Sequence, residues 1–187
     1  GGWIPLVNDT AVAAEDIYIG DGGSNSLLVS SVDVKKPDQI VDNTMILSQY
    51  VDIYVSESAF YLYQRKGYWD DVVTQIAKFD LSDGKMNAVG AVSANGRVTD
   101  TFAVNECEGK LRVLTSGQNA VSGEAENNLY LFDENLNLTG KIEGLAQGEE
   151  IYAARYLGNM AYFVTYRNTD PLFAVDLLSL IHISEPT

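Results

Sequence analysis

The residues that could carry chemistry are few, and most are carboxylates. The chain has 187 residues, of which 26 are acidic and 12 basic, with one cysteine and one histidine. His182 lies in the closing stretch "LSLIHISEPT"; without it no Ser-His or Cys-His nucleophile and no ordinary zinc site can be built. Cys107 stands between Glu106 and Glu108, whose charges work against a reactive thiolate, so it reads as a strand-end residue. A single thiol also leaves no internal disulfide. Carboxylates are adjacent at Asp70-Asp71 and Glu149-Glu150 and spaced by one at Glu106 and Glu108. Glycoside hydrolysis uses such groups, but at a defined separation across a cleft. In so acidic a chain these pairs read as solvated surface. "DLSDG", residues 80–84, lacks calcium-ligand spacing beyond Asp83 and reads as a hairpin turn. No cofactor or metal is expected.

One segment combines several kinds of contact chemistry. "QRKGYWDDVV", residues 64–73, carries Arg65, Lys66, Tyr68, Trp69, Asp70 and Asp71. An exposed Trp-Tyr pair rimmed by charges of both signs suits an interface. Arg65, Tyr68, Trp69, Asp70 and Asp71 therefore form the candidate ligand-binding set. The alternative is a tryptophan that merely covers its own sheet.

Charge narrows the partners. A net charge of −14 with no basic cluster disfavours phosphate backbones and anionic lipid, so neither nucleic acid nor a membrane surface is expected. No run approaches the roughly 18 apolar residues of a membrane helix. The chain opens "GGWIPLVNDT" without Met and shows no signal peptide, so the start reads as missing.

The elements that would position these residues are strands. Apolar, β-branched and aromatic runs of period two recur, separated by Gly, Asn, Asp and Ser clusters. Examples are "LLVSSVDV" 27–34, "AFYLYQ" 59–64, "KLRVLTS" 110–116 and "AYFVTY" 161–166. No sustained helical face appears. An apolar residue followed by Asp closes one strand per unit, at Asp33, Asp80, Asp133 and Asp176. Tyr61, Arg112 and Tyr162 occupy equivalent positions of a second strand. Four strands at a period of about fifty predict an all-β fold, a partial β-propeller of four-stranded antiparallel blades. A partial blade would run to about 47, full blades over about 51–93 and 101–143, and a further partial blade from 151. In a propeller the connections between second and third strands share one face with those between blades. The long segments 64–73 and 116–127 should therefore rise together as a binding surface.

The string "GEEIYAARYLGN", followed by "AYFVTY" and "DPLFAVDL", resembles secreted bacterial proteins with a C-terminal β-propeller domain distantly related to WD repeats. The likeness is dense from about Val98 to Leu177 and looser from about Asp16 to Val92. It departs at Asn105 and Cys107, where an acidic and an aromatic residue would be expected. It implies a secreted or cell-surface origin and a domain several blades longer, and it brings no catalytic residues. In such proteins "DPLFAVDL" should enter a turn and another strand. Residues 178–187 instead read as a non-native, adapter-derived tail, which would make His182 foreign. The leading functional expectation is a non-catalytic extracytoplasmic binding or scaffolding module for a protein or glycan. The alternative is a propeller enzyme, a carboxylate-based hydrolase or lyase, with Asn105, Glu150 and Arg155 in its central channel.

Overall fold

The computed structural model describes residues 5–20, 25–68, 71–119, 121–166 and 172–179. Its elements are strands joined by tight turns and single 3-10 turns. A small ribbon, β1 (Leu6–Val7) with β2 (Thr10–Ala11), precedes four larger sheets. The first contains β3 (Ile17–Ile19), β4 (Asn25–Asp33) and β5 (Lys36–Ser48). Two four-stranded antiparallel meanders follow. One is β6 (Asp52–Val55), β7 (Ala59–Lys66), β8 (Val73–Ser82) and β9 (Lys85–Asn95). The other is β10 (Val104–Cys107), β11 (Lys110–Gln118), β12 (Ala125–Phe132) and β13 (Leu138–Leu145). The last sheet contains β14 (Glu150–Leu157), β15 (Met160–Tyr166) and β16 (Leu172–Asp176). This is the architecture of propeller blades, and we refer to the four sheets as blades one to four.

Register confirms the equivalence of positions across blades. Tyr54 faces Tyr61, Asn105 faces Arg112, and Arg155 faces Tyr162, each pair in the first two strands of its blade. The Asp83-Gly84 hairpin is a two-residue turn with both residues at positive φ, closing the pair Ser82 and Lys85. At the matching turn of blade three, the Asp133 carboxylate accepts from the Asn135 and Asn137 backbone N–H groups, and Leu136 takes the left-handed conformation.

The middle strands of a blade are apolar on both faces because each face meets a different neighbour. In β7, Tyr61 and Tyr63 join a cluster with Val104, Leu111 and Val113 of blade three. The alternate residues Phe60 and Leu62 pack with Phe79, Met86 and Ile46 of blade one. In β12, Tyr130 and Phe132 face blade two while Leu129 and Leu131 face Ile151, Ala161 and Phe163 of blade four. Period two thus sends consecutive side chains to opposite seams. Each fully buried large apolar side chain contributes about 1.5–3 kcal/mol.

Blade one departs from the expected pattern. β3 pairs in parallel with the far half of β5, Ile17 beside Met45 and Ile19 beside Leu47, giving the order β3-β5-β4. β5 is 13 residues long, so its outer edge offers unpaired backbone groups that β3 satisfies. Tyr18 then packs in a T-shaped arrangement against Phe79 of blade two, with ring centres 5.0 Å apart.

Candidate binding cleft

The segments joining successive blades are locked in place by paired hydroxyl and amide side chains. Residues 95–98, leaving β9 for blade three, run between β8 and β11. Thr74 Oγ1 donates to the Gly96 carbonyl at 2.8 Å and accepts from the Val98 N–H, while Gly96 N–H donates to the Val72 carbonyl. On the other side, Arg97 and Ser116 exchange two backbone hydrogen bonds of 2.7 and 2.8 Å. The next connection, 145–150, is held the same way. The fully buried Asn127 donates to the carbonyls of Leu145 and Glu149, and Gly148 N–H donates to the Ala125 carbonyl. Thr165 Oγ1 donates to the Glu149 carboxylate.

Above these joints lies an open cleft of about 330 Å³, with Arg65, Tyr68, Arg97, Gln118 and Glu150 among its walls. Arg65 and Tyr68 come from the end of β7 and the segment after it. Gly67, at φ +81°, makes the sharp turn there, where a Cβ would stand 2.1 Å from the Asp71 carbonyl oxygen. Tyr68 is 79% exposed. Arg97 reaches Glu150 at 3.0 Å, with both side chains substantially in solvent. No described residue forms an ion pair or hydrogen bond with the Arg65 side chain.

The structure redistributes the sequence-derived candidates. Arg65 and Tyr68 share the cleft, and Glu150, assigned from sequence to a channel site, joins them there. Asp71 is exposed and its N–H reaches the Tyr68 carbonyl at 3.4 Å. Trp69, Asp70 and His182 lie outside the described residues, as does the tail from 180 onward. The alternative trio does not converge. Glu150 and Arg155 are five residues apart on β14, about 16 Å along a strand. The Arg155 guanidinium lies over the Phe102 ring at 3.7 Å. Asn105 is on β10, and its buried side-chain oxygen has no hydrogen-bond partner among the described residues. Arg97 was missed from sequence, where it is an isolated basic residue in "NGRVTD"; its only signal was its place in a connection between blades.

Two carboxylates expected as solvated surface are structural. Glu149 is one: it fastens the connection entering blade four to Thr165 on the second strand of that blade. Glu106 is the other: it accepts from Ser56 Oγ at 2.8 Å, Ser58 Oγ at 2.6 Å and Tyr61 Oη at 2.8 Å, all of blade two. Its own N–H donates to Tyr54 Oη at 3.0 Å. Burial opposes ionisation of Glu106, but the hydroxyl donors and Lys78 outweigh it and hold the carboxyl below its ordinary range. Burial, reinforced by the bond to Glu106, pushes the Tyr61 hydroxyl well above the usual phenol value.

Among the described residues, no group of three or more His, Cys, Asp or Glu is arranged to hold a metal ion. No helix among them is long and apolar enough to cross a membrane. A family model described as beta propeller domain matches residues 1–180. Over 112 residues the chain is 42% identical to an uncharacterised protein of the archaeon Methanocaldococcus jannaschii. Over 104 residues it is 43% identical to an uncharacterised protein of Archaeoglobus fulgidus. These stretches are 59% and 56% of this chain but 18% and 16% of the two relatives, so the chain corresponds to a small part of each.

Proposed function

We propose, since this chain belongs to the beta propeller domain family, that it works as a non-catalytic binding or scaffolding module. Its contact face is the end of the blades that carries the cleft. The observation that supports this reading is the convergence of Arg65, Tyr68, Arg97 and Glu150 on one open cleft at a seam between rigid blades. An exposed aromatic ring beside two guanidinium groups is the composition of contact surfaces. The reading includes an extracytoplasmic location, secreted or at the cell surface, supported by the resemblance in "GEEIYAARYLGN" and "DPLFAVDL"; protease accessibility on intact cells tests it.

The experiment immobilises the full chain and captures ligands from defined protein and glycan mixtures, then repeats the capture with Tyr68→Ala and Arg65→Ala. Lost capture with unchanged thermal melting supports the reading. Capture that survives both substitutions rejects this face.

A further inference from the structure

We propose that the cleft takes an extended acidic peptide segment of a partner protein, which adds its backbone to the free edge of β11 and places a carboxylate between Arg65 and Arg97. The proposal rests on the cleft being the contact face and names its ligand class.

Three observations carry it. The first is charge. In a chain of net charge −14, the cleft gathers two arginines, and the Arg65 guanidinium has no ionic partner among the described residues. Guanidinium groups favour planar, two-oxygen acceptors such as carboxylates. The second is that a carboxylate already occupies part of the position. Glu150 lies 3.0 Å from Arg97 with more than half its side chain in solvent, so the pair is weak and exchangeable. Glu150 stands in for the ligand's own carboxylate.

The third observation selects a peptide. Ser116 turns its N–H and C=O to Arg97, away from β12. The next outward-facing backbone position in an antiparallel ladder is two residues on, at Gln118. The neighbouring pair agrees, because Asn119 N–H donates to the Glu124 carbonyl, facing the other way. Among the described residues no strand pairs with β11 on that side beyond Ser116. Gln118 therefore presents a donor and an acceptor at the cleft wall, the requirement for strand addition. A sugar has no matching backbone. Tyr68 and Val72 supply apolar wall for the alternate side chains of an extended segment.

The test is fluorescence anisotropy with the full chain and a short labelled peptide that alternates Glu with Thr. Controls are the same peptide with Gln for Glu and one with N-methylated backbone amides. The Glu peptide should bind at least about tenfold tighter than either control. Arg97→Gln and Arg65→Gln should each weaken it about tenfold, with melting unchanged. Glu150→Gln should tighten it about threefold by removing the internal competitor. Equal binding of the Glu and Gln peptides overturns the inference, as does binding that ignores both arginine substitutions or concentration-dependent pairing of the chain with itself at this face. In those cases a partner captured in a Tyr68-dependent way would still uphold the contact face. Loss of that capture as well would reject both.

Discussion

The Lys78 ammonium, on the third strand of blade two, donates a 2.7 Å hydrogen bond to the carbonyl of Glu134 in the outer turn of blade three. Lys78 is 3% exposed, pairs with Asp80 at 3.1 Å and lies 6.0 Å from the centre of the Tyr61 ring. One seam further on, Arg112 does the same for the Gly158 carbonyl of blade four. Buried cations thus fasten blades two and three each to a turn of the blade that follows. Lys78→Met keeps the stem's packing but removes the donor to Glu134, which should cost about 1–3 kcal/mol. Urea unfolding of the two proteins checks this; equal midpoints would show that the tie contributes nothing.

Glu106 makes the seam between blades two and three sensitive to acid. Its folded-state value is held below its ordinary 4.5. A depressed carboxyl contributes stability above that value, and the contribution is lost as pH falls through the folded value. Glu106→Gln should cost about 1 kcal/mol at pH 7. The difference from wild type should shrink steadily below pH 4.5. Urea midpoints across that range give the result. A residual slope is expected in the variant from Glu143, held low chiefly by its bond from Lys141, and from Asp133, held low by Asn137.

Two glycines should respond in opposite ways to a methyl group. At Gly96, φ is +88° and a Cβ would lie 2.9 Å from both Ser116 O and Thr115 Oγ1. Gly96→Ala should cost more than about 2 kcal/mol and loosen the joint under the cleft. Gly90, in β9, has nothing within 4 Å of a new Cβ, so Gly90→Ala should be neutral or slightly stabilising. Differential scanning calorimetry of the pair distinguishes a local backbone requirement from a general intolerance of bulk.

Tyr68→Ala should leave stability within about 0.5 kcal/mol of wild type, because the ring is 79% exposed. A large drop in melting temperature would mean that the ring packs against the chain and is not free for a partner.

The blades were legible because both faces of each middle strand are buried. "FYLYQ" and "LRVLT" are near-continuous apolar runs whose alternate residues serve different seams, and they repeat at the spacing of a blade. β5 was harder to see, since its opening Lys36-Pro37-Asp38-Gln39 interrupts the alternation, and β3 is a three-residue strand held by a parallel partner far along the chain. The cleft was legible in halves. The sequence places Arg65 and Tyr68 in one candidate set and Glu150 in another; their meeting in one cleft needs the fold to bring positions 65, 97, 118 and 150 to one end. The role of Glu106 was hidden because its partners are hydroxyls of another blade, about fifty residues earlier. Asn105 and Arg155 were correctly matched in register, yet equivalence between blades is not proximity.

Ser116 is a mechanical junction. Its backbone bridges to Arg97 and its hydroxyl donates to Asn127, and the same oxygen accepts from the Ile151 N–H. One serine therefore ties the connection entering blade three, the third strand of that blade and the first strand of blade four. Force pulling blade four from blade three loads this small knot together with the Arg112 tie to the Gly158 carbonyl. Ser116→Ala would keep the backbone bridge but remove the bond from the Ile151 N–H. Under load the seam between blades three and four should then yield at a lower force than in the wild type, while the seam between blades two and three keeps its own ties.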